Sequence, residues 1–131
     1  MRLDMMKAYR EVFNDCWSQR EAWERTIHHP ASRVYVSQKQ AYEVLRPMFF
    51  QGDMSALEKM KPSRKRMYRY LYDLVVELAQ KPQYVGKSLH FIVGQAITMP
   101  APEFFVDWCL VKKVFIWCKK GLIKDETTHS R

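Results

Sequence analysis

The sequence has few of the residues that build the commonest catalytic and metal sites. Only four of the 131 residues are glycines, and they are scattered, which argues against a glycine-rich phosphate-binding loop. The cysteines Cys16, Cys109 and Cys118 form no close pair and no zinc spacing with a histidine pair. Each cysteine has large apolar neighbours, so we expect three buried, reduced thiols and neither a disulfide framework nor a metal site.

Long apolar runs are also missing. No window reaches the stretch of about 18 apolar residues that spans a membrane, and the N-terminal residues lack the apolar core of a signal peptide. We therefore predict a cytoplasmic protein without a membrane partner. The adjacent His28 and His29 point in different directions, and no spacing pairs a nucleophile with a base. The prediction is a non-catalytic protein with no metal and no cofactor.

Positive charge is the clearest compositional feature. The 22 Lys and Arg residues outnumber the 14 Asp and Glu residues, which gives a net charge of +8. A charge of this sign favours polyanionic partners such as DNA or RNA. The chain is 47% apolar and long enough to build a single core.

Apolar residues at steps of three and four predict helices along most of the chain. We predict an all-α fold of five to seven helices around one core, in a single domain over residues 1–124, followed by a polar tail over 125–131. The first helix is predicted from Asp4, as its N-cap, to Ile27, and a turn near residues 14–18 is an open alternative. The second helix is predicted to begin near Gln38, and Pro47 is expected to end or kink it. Later helices are predicted to begin near Ser55 (capped by a box with Glu58), Ser63, Ser88 and Asp107. The last helix is predicted to end near Lys120, before Gly121.

An internal repeat is the most informative pattern. Residues 27–37 match residues 97–107 at an offset of 70, with identities at Ile27/Ile97, Pro30/Pro100, Ala31/Ala101 and Val36/Val106. Ser37 and Asp107 differ but are both good N-caps. Each half therefore reads as helix, Pro-Ala break, aromatic connector, cap and helix, and the predicted halves cover about residues 5–50 and 63–121.

The repeated Pro-Ala-x-x-(Val/Phe)-(Tyr/Phe)-Val-(Ser/Asp) pattern resembles small duplicated, helix-turn-helix-like proteins that are encoded by bacterial prophages and mobile elements. The resemblance covers roughly two-thirds of the chain. It brings no established activity and no site residues, and it implies a role in DNA transactions or in phage–host conflict.

The order of elements in each half is also that of a helix-turn-helix, whose second helix enters the major groove. The first such helix would present Gln38, Lys39 and Gln40; an amide can bond an adenine edge, and lysine suits guanine. The second would present Lys112 and Lys113 after an apolar start, which suits backbone contact. The alternative is that a duplicated helical pair only builds the core, because the connector is longer than the usual turn.

Six positive charges with no intervening acid form what we call the basic cluster. Its members are Lys59, Lys61, Arg64, Lys65, Arg66 and Arg69, with Tyr68, Tyr70 and Tyr72 interleaved. Such cations neutralise phosphates, and tyrosines can stack on unpaired bases. The cluster lies at a predicted helix N-terminus, where the helix dipole disfavours cations, so helix stability does not explain it. A solvated face without a ligand is the alternative. A second group consists of Lys112, Lys113, Lys119, Lys120 and Lys124. The last three lie at a predicted helix C-terminus, where the helix dipole favours cations and explains them without a ligand.

These features together predict a nucleic-acid-binding protein for DNA or RNA. The alternative is a protein–protein interaction module, such as an accessory subunit of a nucleoprotein complex or a phage-type inhibitor of a host factor. That module would use an exposed aromatic surface around Phe49-Phe50 or Phe104-Phe105, because exposed apolar patches usually mark a partner site.

Overall fold

The computed structural model describes residues 1–119, and this part of the chain is all-α, as predicted. It contains seven α-helices, two 3₁₀ turns and no strand. The helices are α1 Arg2–Val12, α2 Gln19–Ile27, α3 Gln38–Gln51, α4 Ser55–Glu58, α5 Pro62–Ala79, α6 Leu89–Ile97 and α7 Trp108–Lys119; the 3₁₀ turns are Phe13–Asp15 and Pro82–Tyr84. The predicted end of the last helix at Lys120 and Gly121, the lysine Lys124 and the tail over 125–131 lie outside the described residues, as do the side chains of Cys118 and Lys119.

The chain folds as two compact units. Unit 1 consists of Met1–Ser32 and the chain from Pro100 onward, and it contains α1, α2 and α7. Unit 2 is Arg33–Met99 and contains α3, α4, α5 and α6. Each unit thus takes two successive long helices from one predicted half and a third helix from the other. The single-domain boundary at residue 124 stays a prediction.

Unit 1 is built around aromatic side chains. The rings of Trp23 on α2 and Trp108 on α7 stack in parallel, with centroids 5.9 Å apart and an interplanar angle of 4°. Phe115 of α7 meets Tyr9 of α1 at 5.0 Å. Aliphatic side chains complete the buried core, namely Met5, Met6, Ala8, Ala22, Ile27, Val111 and Val114.

Unit 2 has an aliphatic core between α3, α5 and α6. Its fully buried side chains include the ring of Tyr68 and the aliphatic Leu45, Met48, Leu71, Val75 and Val93, with Leu78 and Ile92 also buried. The residues recur at helical spacing on each element, so each helix buries one stripe and exposes its polar face.

Helix starts follow the capping residues. The hydroxyls of Ser18, Ser37 and Ser88 each accept the backbone N–H three residues later, at 3.1–3.2 Å. The Asp107 carboxylate accepts the N–H two residues later at 3.3 Å. These bonds satisfy amide groups that the first helical turn leaves unpaired. The predicted starts after Ser37 and Asp107 are confirmed.

The connectors of the two halves make matching hydrogen bonds. In unit 2 the N–H of Val34 donates to the carbonyl of Ile97 at 3.0 Å. In unit 1 the N–H of Phe104 donates to the carbonyl of Ile27, also at 3.0 Å. The two bonds are related by the 70-residue offset of the sequence match. The origin of the halves by duplication stays a prediction.

The Pro-Ala breaks meet within unit 1. Ala31 and Ala101 each donate their backbone N–H to the other's carbonyl at 2.9 Å, an isolated antiparallel bridge. The segments that follow form neither helix nor strand, but they contain bends, and Phe105 takes a left-handed φ of 58°, so the prediction of an extended connector is wrong there.

The first predicted helix is wrong in two respects. α1 ends at Val12, and a 3₁₀ turn and the extended Cys16 separate it from α2, so the alternative of a turn near residues 14–18 is confirmed. Asp4 lies inside α1 and is not its cap. Its carboxylate accepts the backbone N–H and the hydroxyl of Ser32, each at 3.0 Å, because the fold brings this distant residue beside it.

Two further local features differ from the prediction. α3 does not end at Pro47 but continues to Gln51, because its buried face holds the helix on both sides of the missing donor, and it ends at Gly52 in the left-handed region at φ 66°. The alternative of a kink at Pro47 stays a prediction. The capping box predicted at Ser55 is not formed. The Ser55 N–H instead donates to the Asp53 carboxylate at 3.0 Å, and bonds from Ser55 lower the pKa of that carboxyl.

The predicted burial of the thiols is also wrong where the structure describes them. Cys109 is exposed and Cys16 half-buried, and both are free. Cys109 lies on the polar side of α7, whose buried stripe runs through Val111 and Val114.

Candidate nucleic-acid interface

Positive charge is concentrated in unit 2. This unit holds 11 of the 22 basic residues and 5 of the 14 acidic residues, so it carries +6 of the net +8. All six members of the basic cluster lie in unit 2, and no acidic residue lies between them. The unit's other five basic residues equal its five acidic residues in number, so their charges cancel in the sum. The basic cluster therefore accounts for the whole net charge of the unit.

The basic cluster runs from the end of α4 through the first half of α5. Most of its side chains reach solvent. The exposed members are Lys59, Lys61, Arg66 and Arg69, and the half-buried members are Arg64 and Lys65. The helical part of the basic cluster, residues 62–69, covers about two turns of α5, so several cations lie within reach of one polyanion backbone.

The N-terminus of α5 has Pro62 at its first position but no side-chain cap and no acid in its first turn. Its N-cap position is Lys61. Each cation in such a turn opposes the helix dipole by about 0.3–1 kcal/mol. The helix dipole therefore does not stabilise the cations of the first turn, whereas a bound anion there would be favoured by both the side chains and the dipole.

Arg64 and Tyr68 have a structural contact. The Arg64 guanidinium carbon lies 5.4 Å from the centre of the Tyr68 ring. Tyr68 is fully buried, and burial raises the pKa of its hydroxyl, which has no hydrogen-bond partner among the described residues. The prediction that Tyr68 stacks on a base is wrong, because its ring fills the core of unit 2. Tyr70 and Tyr72 are half-buried.

Gln38 makes contacts inside unit 2. Its amide Nε2 donates to the backbone carbonyl of His90 at 2.9 Å, and it covers Gly94 of α6. A Cβ at Gly94 would lie only 2.5 Å from that nitrogen. The side chain thus ties α3 to α6 and reads no base in this conformation. Its neighbours Lys39 and Gln40 are exposed.

Lys112 and Lys113 belong to unit 1, whereas the other candidate residues for nucleic-acid binding belong to unit 2. Both are exposed on α7, and the Lys112 ammonium lies 5.8 Å from the centre of the Trp23 ring. The contact is a cation–π interaction that leaves the charge near solvent.

Neither unit contains both helices of a predicted helix-turn-helix pair, which would be α2 with α3 or α6 with α7. α2 packs against α1 and α7 in unit 1, and α3 packs against α5 and α6 in unit 2. Consecutive helices of each predicted pair therefore contribute to different cores. Base reading by a helix-turn-helix gains no support from this arrangement.

The predicted aromatic surface is only partly present. Phe104 and Phe105 are 3% and 6% exposed, so the prediction that they form a surface is wrong; they fill the core of unit 1. Phe50 is 63% exposed at the end of α3, and Phe49 is half-buried. The sequence prediction missed Trp17, which is 97% exposed. The available signal was its place directly before the helix cap Ser18.

Residues 1–119 contain no group of three His, Cys, Asp or Glu side chains that could hold a metal ion. No helix in this range is long and apolar enough to cross a membrane. No protein-family model, curated protein or solved structure matches the chain. The function must therefore be inferred from the residues themselves.

Proposed function

We propose that this protein binds nucleic acid without catalysis, through phosphate contacts made by the basic cluster of unit 2. The observation that carries the proposal is the charge distribution: six cations with no acid between them, mostly exposed, supply the net charge of the unit beside a helix start that has no side-chain cap and no acid in its first turn. Binding is then driven by the release of counterions from the nucleic acid.

The contacts differ in kind along the basic cluster. Arg66 and Arg69 lie three residues apart, so they share one exposed face of α5, and their guanidinium groups can bind phosphate in a bidentate manner. Lys59 and Lys61 precede the helix and extend the charged surface as point charges. Backbone contact of this type positions the protein without reading sequence.

Base reading is a smaller part of the proposal. Lys39 and Gln40 are exposed at the start of α3 and are the candidates for base edges, whereas Gln38 would first have to release His90. Lys112 and Lys113 are candidates for a further backbone contact from unit 1. A cytoplasmic location belongs to the same proposal, because it would give access to DNA and RNA.

The test is a fluorescence-anisotropy titration of the full chain with duplex DNA, single-stranded DNA and structured RNA at two salt concentrations. Binding that weakens steeply with salt is the expected result, and the tightest complex identifies the polymer. Absence of binding to all three at low salt would contradict the proposal.

A protein–protein interaction module is the second candidate. It is favoured by the exposed Phe50 at the end of α3 and by Met54 in the turn that follows, which is 38% exposed. A partner held by this apolar surface would associate in a salt-tolerant way, which separates this function from phosphate binding.

A further inference from the structure

Charge changes sign along the exposed face of α5. The exposed residues of this helix recur every three or four positions, so they form one stripe along it. In the first half of the stripe the charged residues are Arg66 and Arg69 of the basic cluster. In the second half they are Asp73 and Glu77, which we call the acidic pair. The acidic pair thus follows directly on the basic cluster, on the same side of the same helix.

The order of these charges is the reverse of the order that a helix dipole favours. The dipole stabilises acids near the N-terminus of a helix and bases near its C-terminus. The first turn of α5 has no acid and its last turn has no base, and Glu77 lies in that last turn. The helix dipole therefore does not explain how charge is distributed on this face.

The field of the acidic pair extends toward the basic cluster. Burial raises the pKa of Tyr70, which follows Arg69 directly, and the Glu77 carboxylate raises it further. Along the helix axis Asp73 lies about 6 Å beyond Arg69, and Glu77 lies about 12 Å beyond it. The Debye length is about 8 Å at physiological ionic strength, so salt screens the nearer carboxylate only in part. A phosphate placed beyond Arg69 on this face is therefore repelled.

The two arginines restrict the path of a bound backbone. Arg66 and Arg69 lie on the side of α5, so a backbone that contacts both must lie against this side. A backbone that ran along the helix would pass from the arginines directly onto the acidic pair. The favourable path therefore crosses the helix at the level of the basic cluster. A single strand can take this path, because it has one flexible backbone.

A duplex on the same path brings a second backbone to the face. Each backbone of B-DNA is bordered on one side by the minor groove, about 6 Å wide, and on the other by the major groove, about 12 Å wide. One of these grooves must open toward the C-terminal half of α5. The far edge of that groove then lies near the level of Asp73 or Glu77, so the second backbone meets a carboxylate.

We propose that the acidic pair makes the nucleic-acid site of unit 2 selective for single strands over duplexes. The selectivity rests on the proposed function, because the basic cluster must first bind phosphate. The basic cluster supplies the affinity, and Asp73 and Glu77 select the class of polymer by repelling a second backbone. Because the selection acts on backbones and not on bases, single-stranded DNA and single-stranded RNA are both ligands.

The experiment compares the dissociation constants for a duplex and for one of its strands, by fluorescence anisotropy of the full chain at one salt concentration. The ligands are a DNA strand of about 16 nucleotides, its duplex and the RNA strand of the same sequence. The test variant is Asp73→Asn/Glu77→Gln. Its matched control is Asp15→Asn/Glu43→Gln, which neutralises two exposed acids elsewhere by the same substitutions. A second test variant, Asp73→Lys/Glu77→Lys, reverses the charge of the acidic pair.

The parent should bind each single strand at least about threefold more tightly than the duplex. Asp73→Asn/Glu77→Gln should raise the affinity for the duplex by about 5–10-fold, because each exposed charge pair contributes up to about fivefold, and that for the strands by less than about twofold. The lysine variant should bind the duplex at least as tightly as the strands. The control should change all affinities by the same factor, since it alters only the screened field at long range. All variants should keep the helical circular dichroism of the parent, because the substituted side chains are exposed.

Tighter binding of the duplex by the parent would overturn the selectivity, while phosphate binding by the basic cluster would stand. The same ratio of duplex to single-strand affinity in the parent and in Asp73→Asn/Glu77→Gln would overturn it as well. So would an equal change of this ratio in the control, because the effect would then depend on net charge. Absence of binding to every ligand at low salt would overturn the proposed function, and the selectivity with it.

Discussion

Neutralising three exposed cations of the basic cluster should remove most of the affinity for nucleic acid. The variant is Lys61→Gln/Arg66→Gln/Arg69→Gln, which changes the net charge from +8 to about +5 by the loss of three cations. Its matched control is Arg46→Gln/Lys81→Gln/Lys87→Gln, which removes three exposed cations from the same unit outside the cluster. The two variants have the same net charge, so they differ only in where the charge was lost.

The expected magnitude follows from counterion release. Each phosphate contact contributes a slope of about 0.9 to the dependence of log K on log salt for duplex DNA and about 0.7 for single strands. At about 0.1 M salt this is roughly eightfold or fivefold for each contact. Three contacts then amount to a loss of roughly 500-fold for duplex and roughly 125-fold for single strands. The salt slope should fall by about 2–3.

The assay is the anisotropy titration, repeated at several salt concentrations for the parent and both variants. The control should lose less than about threefold, because its cations contribute only to the screened field at long range. Thermal unfolding provides an independent readout. The cluster variant should be as stable as the parent or up to about 1 kcal/mol more stable, since Lys61 opposes the dipole of α5. Equal losses of affinity in the two variants would contradict a specific role of the basic cluster, because binding would then depend on net charge alone.

Three further predictions concern the stability of the two units. Tyr68→Phe should raise the free energy of unfolding by about 1 kcal/mol, because it removes a buried hydroxyl without a partner in the described chain. Burial raises the pKa of Tyr68, so the parent should also lose stability as the pH rises above the ordinary value of 10.0, and urea unfolding across this range should show less of that loss in the variant. Gly94→Ala should leave the free energy of unfolding nearly unchanged, because a gain in helix propensity of about 1 kcal/mol is offset by displacing Gln38 from His90. In a Gln38→Ala background the gain should appear in full. An equal effect of Gly94→Ala in both backgrounds would contradict the contact between Gln38 and α6. Ser18→Ala and Ser88→Ala should each cost about 1 kcal/mol in thermal unfolding, and a negligible cost in either would show that its cap bond contributes little.

The sequence predicted the positions of the helices better than the contacts that the helices and their side chains make. Helical spacing and the caps Ser37 and Asp107 are local signals, and both led to the right starts. Asp4 failed because its hydrogen-bond partner Ser32 is 28 residues away, and no local pattern indicates such a contact. The repeat likewise gave the order of elements in each half, but it could not show that the third helix of each half joins the core of the other unit.

Exposure of the aromatic residues was the least predictable feature. Trp17 fitted a continuous apolar stripe from Met6 to Ile27, but the 3₁₀ turn after α1 breaks the helical register and places the indole in solvent. Phe104 and Phe105 looked suitable for a surface because they lie in a connector, yet this connector runs through the core of unit 1. The basic cluster was predictable because charge density is a property of the sequence; the engagement of Gln38 with His90 required the fold.

The most direct test of the central claim is an NMR titration of the ¹⁵N-labelled chain with the nucleic acid that binds best. We expect the perturbed backbone amides to concentrate at residues 59–69 in unit 2, the perturbations to fade as salt is added, and the signals of residues 11–19 to stay unchanged. Perturbations centred on residues 11–19, or spread evenly over both units, would contradict the assignment of the basic cluster as the nucleic-acid site.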